Sequence, residues 1–243
     1  MKSISVVIPA LNEEKYLGET LQWVEAAIRT WQCEQPGSVG EVIVVDNDST
    51  DRTAEIARNY DAKVVTEKER NISRARNAGD KAAAGEVFLF LDADTHIPTE
   101  LLKRIATALT DPACDGGAVA VQHLPERRIL RLYMLFWKIV GRMFGMAQGA
   151  AQFYRRSVFE KLRGYPEHVY MGEDVEFYWA ASKAAKRGNR TVEYIKDLQV
   201  VPSPRRFDQW PLWKKLLWTN PLAPALLRWW KWPWSGWYKN LPR

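Results

Sequence analysis

The length and composition of the chain predict a folded protein with a substantial core. It has 243 residues, of which 47% are hydrophobic and 26% charged, and this balance excludes an intrinsically disordered chain. The net charge is +6, but residues 205–243 hold eight Lys/Arg against one acidic residue, so the basic character belongs to the C-terminal part. No apolar run reaches the roughly 18–20 residues that cross a bilayer, and Pro9 breaks the apolar start too early for a secretory signal. We therefore expect a cytoplasmic protein.

The first half of the chain alternates short β-branched runs with helical patterns. Strands are predicted at 3–8, 42–45, 63–66 and 87–91, and helices at 13–30, 49–60 and 73–84. Continuous apolar strands separated by helices are typical of a parallel sheet that is covered on both faces. The second half is less regular, with a strand predicted at 118–123 and helices at 127–146 and 174–186.

Polar segments follow three of the predicted strands directly, at 9–14, 46–51 and 92–94. In parallel α/β sheets, ligands bind beyond the carboxyl ends of the strands, where such loops meet. The three segments are therefore expected to converge on one edge of the sheet and to form a binding site there.

Asp92 and Asp94 are the strongest metal-ligand candidates. They lie two residues apart at a strand end, so their side chains are expected to point the same way. Hard carboxylate oxygens suit Mg²⁺ or Mn²⁺, with substrate phosphates completing the shell. A solvated turn is the alternative for this pair. Asp46, at the tip of the preceding strand, could accept hydrogen bonds from a base or a ribose, whereas helix capping accounts for residues 49–51.

Further charged and polar residues lie at the starts of two predicted helices. Arg74, Arg76 and Asn77 either contact a diphosphate or form a solvated face. Glu173 and Asp174 either interact with a helix N-terminus or supply a general base, since a carboxylate that is ionised at pH 7 can take a proton from an attacking hydroxyl.

Five of these segments occur in an order and spacing that resemble family 2 glycosyltransferases. The match covers about three quarters of the chain and runs through VIPALNEE at 7–14, VVDNDSTDRT at 44–53, SRARNAG at 73–79, LDAD at 91–94 and GED at 172–174. The segment FYRRSVF at 153–159, with Gly164 and Tyr165 after it, is similar to the acceptor side of that family. The Gln-x-x-Arg-Trp signature of processive members is not evident, which favours transfer of a single sugar.

The resemblance implies a GT-A-type α/β fold, with a Rossmann-like, mostly parallel mixed sheet flanked by helices. The transferase domain would cover 1–204, with its nucleotide-sugar part at about 1–95 and its acceptor part at about 96–204. The resemblance also implies an inverting reaction with a UDP- or GDP-sugar donor and Mn²⁺ or Mg²⁺. The implied roles are nucleotide-sugar binding by Pro9, Ala10, Asn12, Glu13, Asp46, Asn47, Arg76, Asp92 and Ala93, metal binding by Asp92 and Asp94, general base catalysis by Asp174, and diphosphate or acceptor contacts by Glu173, Arg205 and Arg206.

The C-terminal segment, 205–243, contains eight of the twelve Trp residues, interleaved with Lys, Arg and Pro. Indoles and cations together favour a bilayer interface, so we expect this appendage to attach the protein to the inner face of the cell membrane, near a lipid-linked or small acceptor. Core packing is an equal alternative for Trp210 and Trp213. Stacking on single-stranded nucleic acid is a third interpretation, which the transferase motifs disfavour.

Two other functions are compatible with parts of this pattern. A sugar-phosphate nucleotidyltransferase would also be α/β and metal-dependent, but the segment 9–14 lacks the Gly-rich loop with Arg and Lys that those enzymes carry. A non-catalytic membrane or nucleic-acid binding module would not need Asp94 or Asp174, and both are present.

Overall fold

A computed structural model describes residues 1–123, 128–147, 149–205, 227 and 229–230. The described strands are β1 Ser3–Ala10, β2 Val39–Asp46, β3 Lys63–Thr66, β4 Val87–Leu91, β5 Thr95–His96, β6 Cys114–Val121, β7 Ala151–Arg155 and β8 Thr191–Pro202. The described helices are α1 Leu17–Glu34, α2 Thr53–Asn59, α3 Ile72–Ala82, α4 Leu101–Ala108, α5 Arg128–Met143, α6 Arg156–Lys161 and α7 Glu173–Arg187.

The strands form a mixed sheet in the order β3-β2-β1-β4-β7-β6-β8-β5. The first four are parallel to one another, and β7 runs antiparallel to both β4 and β6. The strand β8 is parallel to β6, and the short β5 is antiparallel to β8. The predicted α/β class, with a mostly parallel mixed sheet between helices, is confirmed.

Alternate residues of β1 supply the cores on the two faces of the sheet. Val6 and Ile8 pack in one apolar cluster with α1 and α4, while Val7 packs in the other with α3, α6 and α7. The helix α3 packs so closely on β1 that a Cβ at Gly79 would lie 2.3 Å from Cγ1 of Val7. Both faces of the central strand are therefore buried, which explains its continuous apolar sequence.

Several elements differ from the sequence predictions. The helix predicted from residue 13 begins at Leu17, because Glu13 lies in a turn where its N–H donates to Oγ1 of Thr53 at 2.7 Å. The strands β5, β7 and β8 and the helices α4 and α6 were not predicted. In β8 the charges of Glu193 and Asp197 interrupt the apolar pattern, and both pair with Arg104 of α4.

The chain continues beyond β8 into the predicted C-terminal segment. Arg205 is described and buried, whereas Arg206 and nearly all of the Trp-rich part lie outside the described residues. Within the described ranges, no helix is long and apolar enough to cross a membrane.

Candidate active site

A cavity of about 260 Å³ opens where the carboxyl ends of β1 and β4 meet the N-terminus of α7. Its lining includes ten of the residues that the sequence singled out: Pro9, Ala10, Glu13, Asn47, Arg76, Asp92, Ala93, Asp94, Glu173 and Asp174. The other lining residues are Leu11 and Gly172, which belong to the predicted motifs, and Ile72, Gly149, Tyr170 and Met171, which sequence analysis did not single out. Asn12, Asp46 and Arg205 are not among the lining residues. The three polar segments therefore converge as predicted, together with the start of α7.

Asn12 joins the first two polar segments from outside the cavity. Its N–H donates to Oγ of Ser49 at 2.9 Å, and its side-chain oxygen accepts from the N–H of Thr50 at 2.6 Å. The positive φ of 53° at Asn12 makes the turn that brings these groups together, in a region that Asn tolerates better than most residues. Asp46 caps the same loop by accepting from the N–H of Ser49 at 3.1 Å.

Asn47 lines the cavity, but its amide already makes three hydrogen bonds. Its nitrogen donates to the carbonyl groups of residues 67 and 69, at 2.9 and 2.7 Å. Its oxygen accepts from the N–H of Asn71 at 3.0 Å, and Asn71 in turn caps α3. The Asn47 side chain therefore fixes the loop before α3, which carries Arg76 into the site.

Arg76 bridges the Asp92 strand end and the start of α7. Its guanidinium donates to Glu173 at 2.7 Å and to Asp92 at 3.1 Å, and it lies 5.0 Å from the centroid of the Tyr165 ring. The side chain is only 2% exposed. Burial alone would lower the pKa of Arg76, but the neighbouring Glu173, Tyr165 and Asp92 more than offset this effect. The net shift of the pKa is upward, so the guanidinium stays charged. Arg76 thus acts as a permanently cationic clamp between the two acidic motifs.

Glu173 is a buried carboxyl group close to a second one. Burial, and then the neighbouring Asp174 carboxylate, raise the pKa of Glu173 to about 7, while Arg76 opposes this shift. The group is thus poised to change protonation near neutral pH, where it also holds the Arg76 clamp.

Arg205 forms a second buried clamp behind Asp94. One of its terminal nitrogens donates to Glu13 at 2.6 Å and pairs with Oδ2 of Asp94 at 2.9 Å, and its guanidinium covers the Tyr16 ring at 4.5 Å. Burial alone would lower the pKa of Arg205, but Glu13 and Asp94 raise it. Within the described residues, Nε and Nη1 of Arg205 are buried without hydrogen-bond partners. Two buried cationic donors of this kind fit an anionic ligand.

Asp174 occupies the first turn of α7, after Gly172, whose φ of 76° starts the helix sharply. Its carbonyl accepts from Nε2 of the fully buried Gln152 at 3.2 Å, and the Gln152 oxygen accepts from the Tyr154 and Tyr165 hydroxyls at 3.1 and 3.3 Å. This network anchors the helix start from behind.

Gly149 packs against the other side of Asp174. A Cβ at Gly149 would lie 2.5 Å from Cβ and 2.6 Å from Oδ2 of Asp174. A glycine is therefore required here for the carboxylate to occupy its present place, and no motif in the sequence had indicated it.

The carboxylates of Asp92 and Asp94 fit a divalent cation of the Mg²⁺ or Mn²⁺ type. Both line the cavity, and Arg205 pairs with Oδ2 of Asp94. Ions of this type are commonly held by one or two carboxylates together with substrate phosphates. The described part of the chain contains no cluster of three or more His, Cys, Asp or Glu arranged to hold a metal.

Comparison with known proteins gives a family match and similar folds. The family model described as glycosyl transferase family 2 matches residues 5–163. A dolichol-phosphate mannosyltransferase of Pyrococcus furiosus is 35% identical over 123 residues, which are 49% of this chain and 32% of that protein. The chain thus spans about a third of that relative's length.

Two solved structures share the fold. TarS of S. aureus, residues 1–349, aligns with a TM-score of 0.61 and 24% identity, over 85% of this chain and 62% of that one. The mannosyltransferase PcManGT of Pyrobaculum calidifontis was solved with GDP-Man and Mn²⁺. It aligns with a TM-score of 0.62 and 22% identity, over 82% of this chain and 56% of that one. From the family match, together with the converging motifs, we conclude that this chain belongs to glycosyltransferase family 2.

Proposed function

We propose that the chain is an inverting glycosyltransferase that moves one sugar from a UDP- or GDP-sugar to an acceptor hydroxyl or phosphate. The observation that carries the proposal is that one cavity holds both the Asp92/Asp94 pair and Asp174, with Arg76 bridging Asp92 to the helix that carries Asp174. Candidate ligands for a diphosphate–metal group and a candidate base therefore line one cavity. This is the arrangement that in-line displacement requires.

The donor would lie along the loops after β1, β2 and β4. Pro9, Ala10, Leu11 and Glu13 would face the base and ribose, and Asp92 and Asp94 would face the diphosphate. Asn12 and Asp46 would support this part of the site through their hydrogen bonds to the loop at 49–50. Arg205 supports a diphosphate contact near Asp94, because its guanidinium pairs with that carboxylate and carries positive charge. The bound cation would offset the negative charge that builds up on the leaving nucleoside diphosphate.

The acceptor would approach from the α7 side. The acceptor oxygen attacks the anomeric carbon on the face opposite the diphosphate, and the bond from that carbon to the diphosphate oxygen breaks. Asp174 takes the proton of a hydroxyl acceptor, whereas a phosphate acceptor is largely ionised at neutral pH and attacks without losing a proton. The configuration at the anomeric carbon is thereby inverted. The Gly149 and Gln152 contacts would hold the Asp174 carboxylate ready for this transfer.

A lipid-linked acceptor is the class we favour. The name of the Pyrococcus furiosus relative indicates dolichol phosphate as the acceptor of that enzyme. The basic, Trp-rich sequence of 205–243 supports attachment of this chain to the inner membrane face, where such acceptors reside.

A panel of UDP- and GDP-sugars with Mn²⁺ tests the proposal. A donor at one hundred times its dissociation constant stabilises the folded state by about 2.7 kcal/mol, which raises Tm by roughly 5–10 °C for a chain of this size. We expect at least one donor to give this shift, and EDTA to reduce it. Stabilisation by a nucleoside triphosphate with a sugar phosphate, and by no nucleotide sugar, would instead identify a nucleotidyltransferase.

A further inference from the structure

The helix α5 exposes an apolar stripe, which we define as Leu132, Leu135, Ile139, Met143 and, just after the helix, Phe144. Each of these side chains is more than half exposed. The helical members are spaced by three, four and four residues, so they share one side of the helix. A continuous exposed apolar surface of this kind marks a binding surface more often than a chance arrangement.

The charge of α5 complements an anionic partner. Its sixteen residues contain four Lys/Arg and no Asp or Glu. The helical positions of Arg131, Lys138 and Arg142, which are seven and four residues apart, fall along one flank of the apolar stripe. Basic positions beside an apolar face are typical of helices that lie in a bilayer interface.

The apolar stripe adjoins the acceptor side of the cavity. Trp179 of α7 is partly exposed, and its ring N–H donates to the carbonyl groups of Phe144 and Gly145, at 3.2 and 3.0 Å. Trp179 follows Asp174 by five residues, about 7.5 Å along the helix at 1.5 Å per residue. After α5 the chain leads to Gly149, which contacts Asp174. The surface and the candidate base are thus joined by short, hydrogen-bonded segments.

We propose that the apolar stripe docks α5 flat on an anionic bilayer and brings the acceptor side of the cavity to the lipid surface. The proposal deepens the proposed function and rests on it for the class of acceptor. A bilayer supplies both an apolar layer and anionic headgroups, whereas a second copy would bring two helices of charge +4 together. The apolar stripe belongs to a different part of the sequence from the C-terminal segment, and it would present a lipid-linked acceptor to Asp174 without extracting the lipid.

Vesicle co-sedimentation of the full chain tests the docking. Wild type and the triple variant Leu135→Gln, Ile139→Gln, Met143→Gln are compared on phosphatidylcholine vesicles with and without phosphatidylglycerol. We expect the triple variant to bind anionic vesicles roughly tenfold or more weakly, because three apolar side chains no longer enter the interface. Ile139→Gln is compared with Val39→Gln as a matched control, because Val39 is also an exposed apolar residue but lies at the start of β2, away from α5 in the chain. Only Ile139→Gln should weaken binding.

Two further measurements test whether charge contributes to bilayer binding and whether donor binding is independent of it. Lys138→Glu should weaken binding to the anionic vesicles at low salt and have little effect at high salt, because the bilayer attraction it removes is screened. Donor stabilisation with Mn²⁺ is measured without lipid and should be the same in the triple variant and in wild type. Vesicle binding by a wild type that binds no nucleotide sugar would refute the proposed function and leave the docking in place.

Three results would overturn the docking. The first is a wild type that does not bind anionic vesicles at low salt. The second is a triple variant that binds them as wild type does, which would assign membrane binding to another part of the chain. The third is a wild-type dimer in analytical ultracentrifugation that the triple variant converts to monomer without change in vesicle binding, which would make the apolar stripe a contact between copies.

Discussion

Gly149 packs so closely against Asp174 that any side chain at this position must displace the candidate base. A Cβ there would lie 2.5–2.8 Å from three Asp174 side-chain atoms. Carbon atoms in ordinary contact are about 3.5–4.0 Å apart, so relief of the clash in Gly149→Ala needs a shift of about 1 Å. A displacement of that size in a reacting group costs on the order of 10²-fold in rate. We therefore expect kcat to fall about 100-fold while donor binding is retained.

The matched control for this change is Gly141→Ala. A Cβ at Gly141 would have its nearest neighbour at an ordinary 3.7 Å, in Met146. Sugar transfer is followed by release of nucleoside diphosphate in the presence of acceptor, and donor binding by calorimetry with Mn²⁺. Gly141→Ala should keep wild-type kcat, and its free energy of unfolding should stay within about 1 kcal/mol of the wild-type value. A Gly149→Ala protein with wild-type kcat would refute the claim that this contact positions the base.

Three further changes probe the clamps around the cavity. Asp94→Asn should abolish the Mn²⁺-dependent part of donor stabilisation, measured as Tm with and without EDTA, and leave the protein folded. The pKa of Glu173 is about 7 in the folded protein, against the usual 4.5, so the folded state binds more protons than the unfolded state between these pH values. The contribution of Glu173 to stability is therefore lost as pH rises from about 4.5 through 7. Denaturation at several pH values should therefore show a steeper loss of stability in wild type than in Glu173→Gln. Gln152→Leu leaves the hydroxyls of Tyr154 and Tyr165 without their acceptor and should cost roughly 2–4 kcal/mol in urea denaturation.

The sequence predicts the first half of the fold well because its strands are buried on both faces. A continuous apolar run such as Val87–Leu91 has few other interpretations next to helical segments. The second half contains edge and bridging elements whose patterns are weaker. The strand β8 carries charges that pair with α4, and β5 has only two residues, so neither shows strand periodicity on its own.

The candidate site was predictable where a side chain belongs to a loop motif, as Asp92, Asp94 and Asp174 do. The site was not predictable where the role of a residue depends on how distant parts of the chain pack together. Gly149 gives no signal in sequence, because its importance arises only when β7 and α7 bring it against Asp174. Arg76 was predicted to contact the donor, and the structure adds that it is a buried bridge between two acidic groups.

Asp174→Asn tests the central claim most directly, because it is nearly isosteric and removes only the ability to take a proton. The measurement compares donor binding, by calorimetry with Mn²⁺, and single-turnover transfer to a hydroxyl acceptor in the variant and in wild type. We predict unchanged donor affinity and transfer reduced by roughly 10²–10⁴-fold, the usual contribution of a positioned base. An unchanged transfer rate would remove Asp174 from the mechanism, and loss of donor binding would place it in the nucleotide site instead.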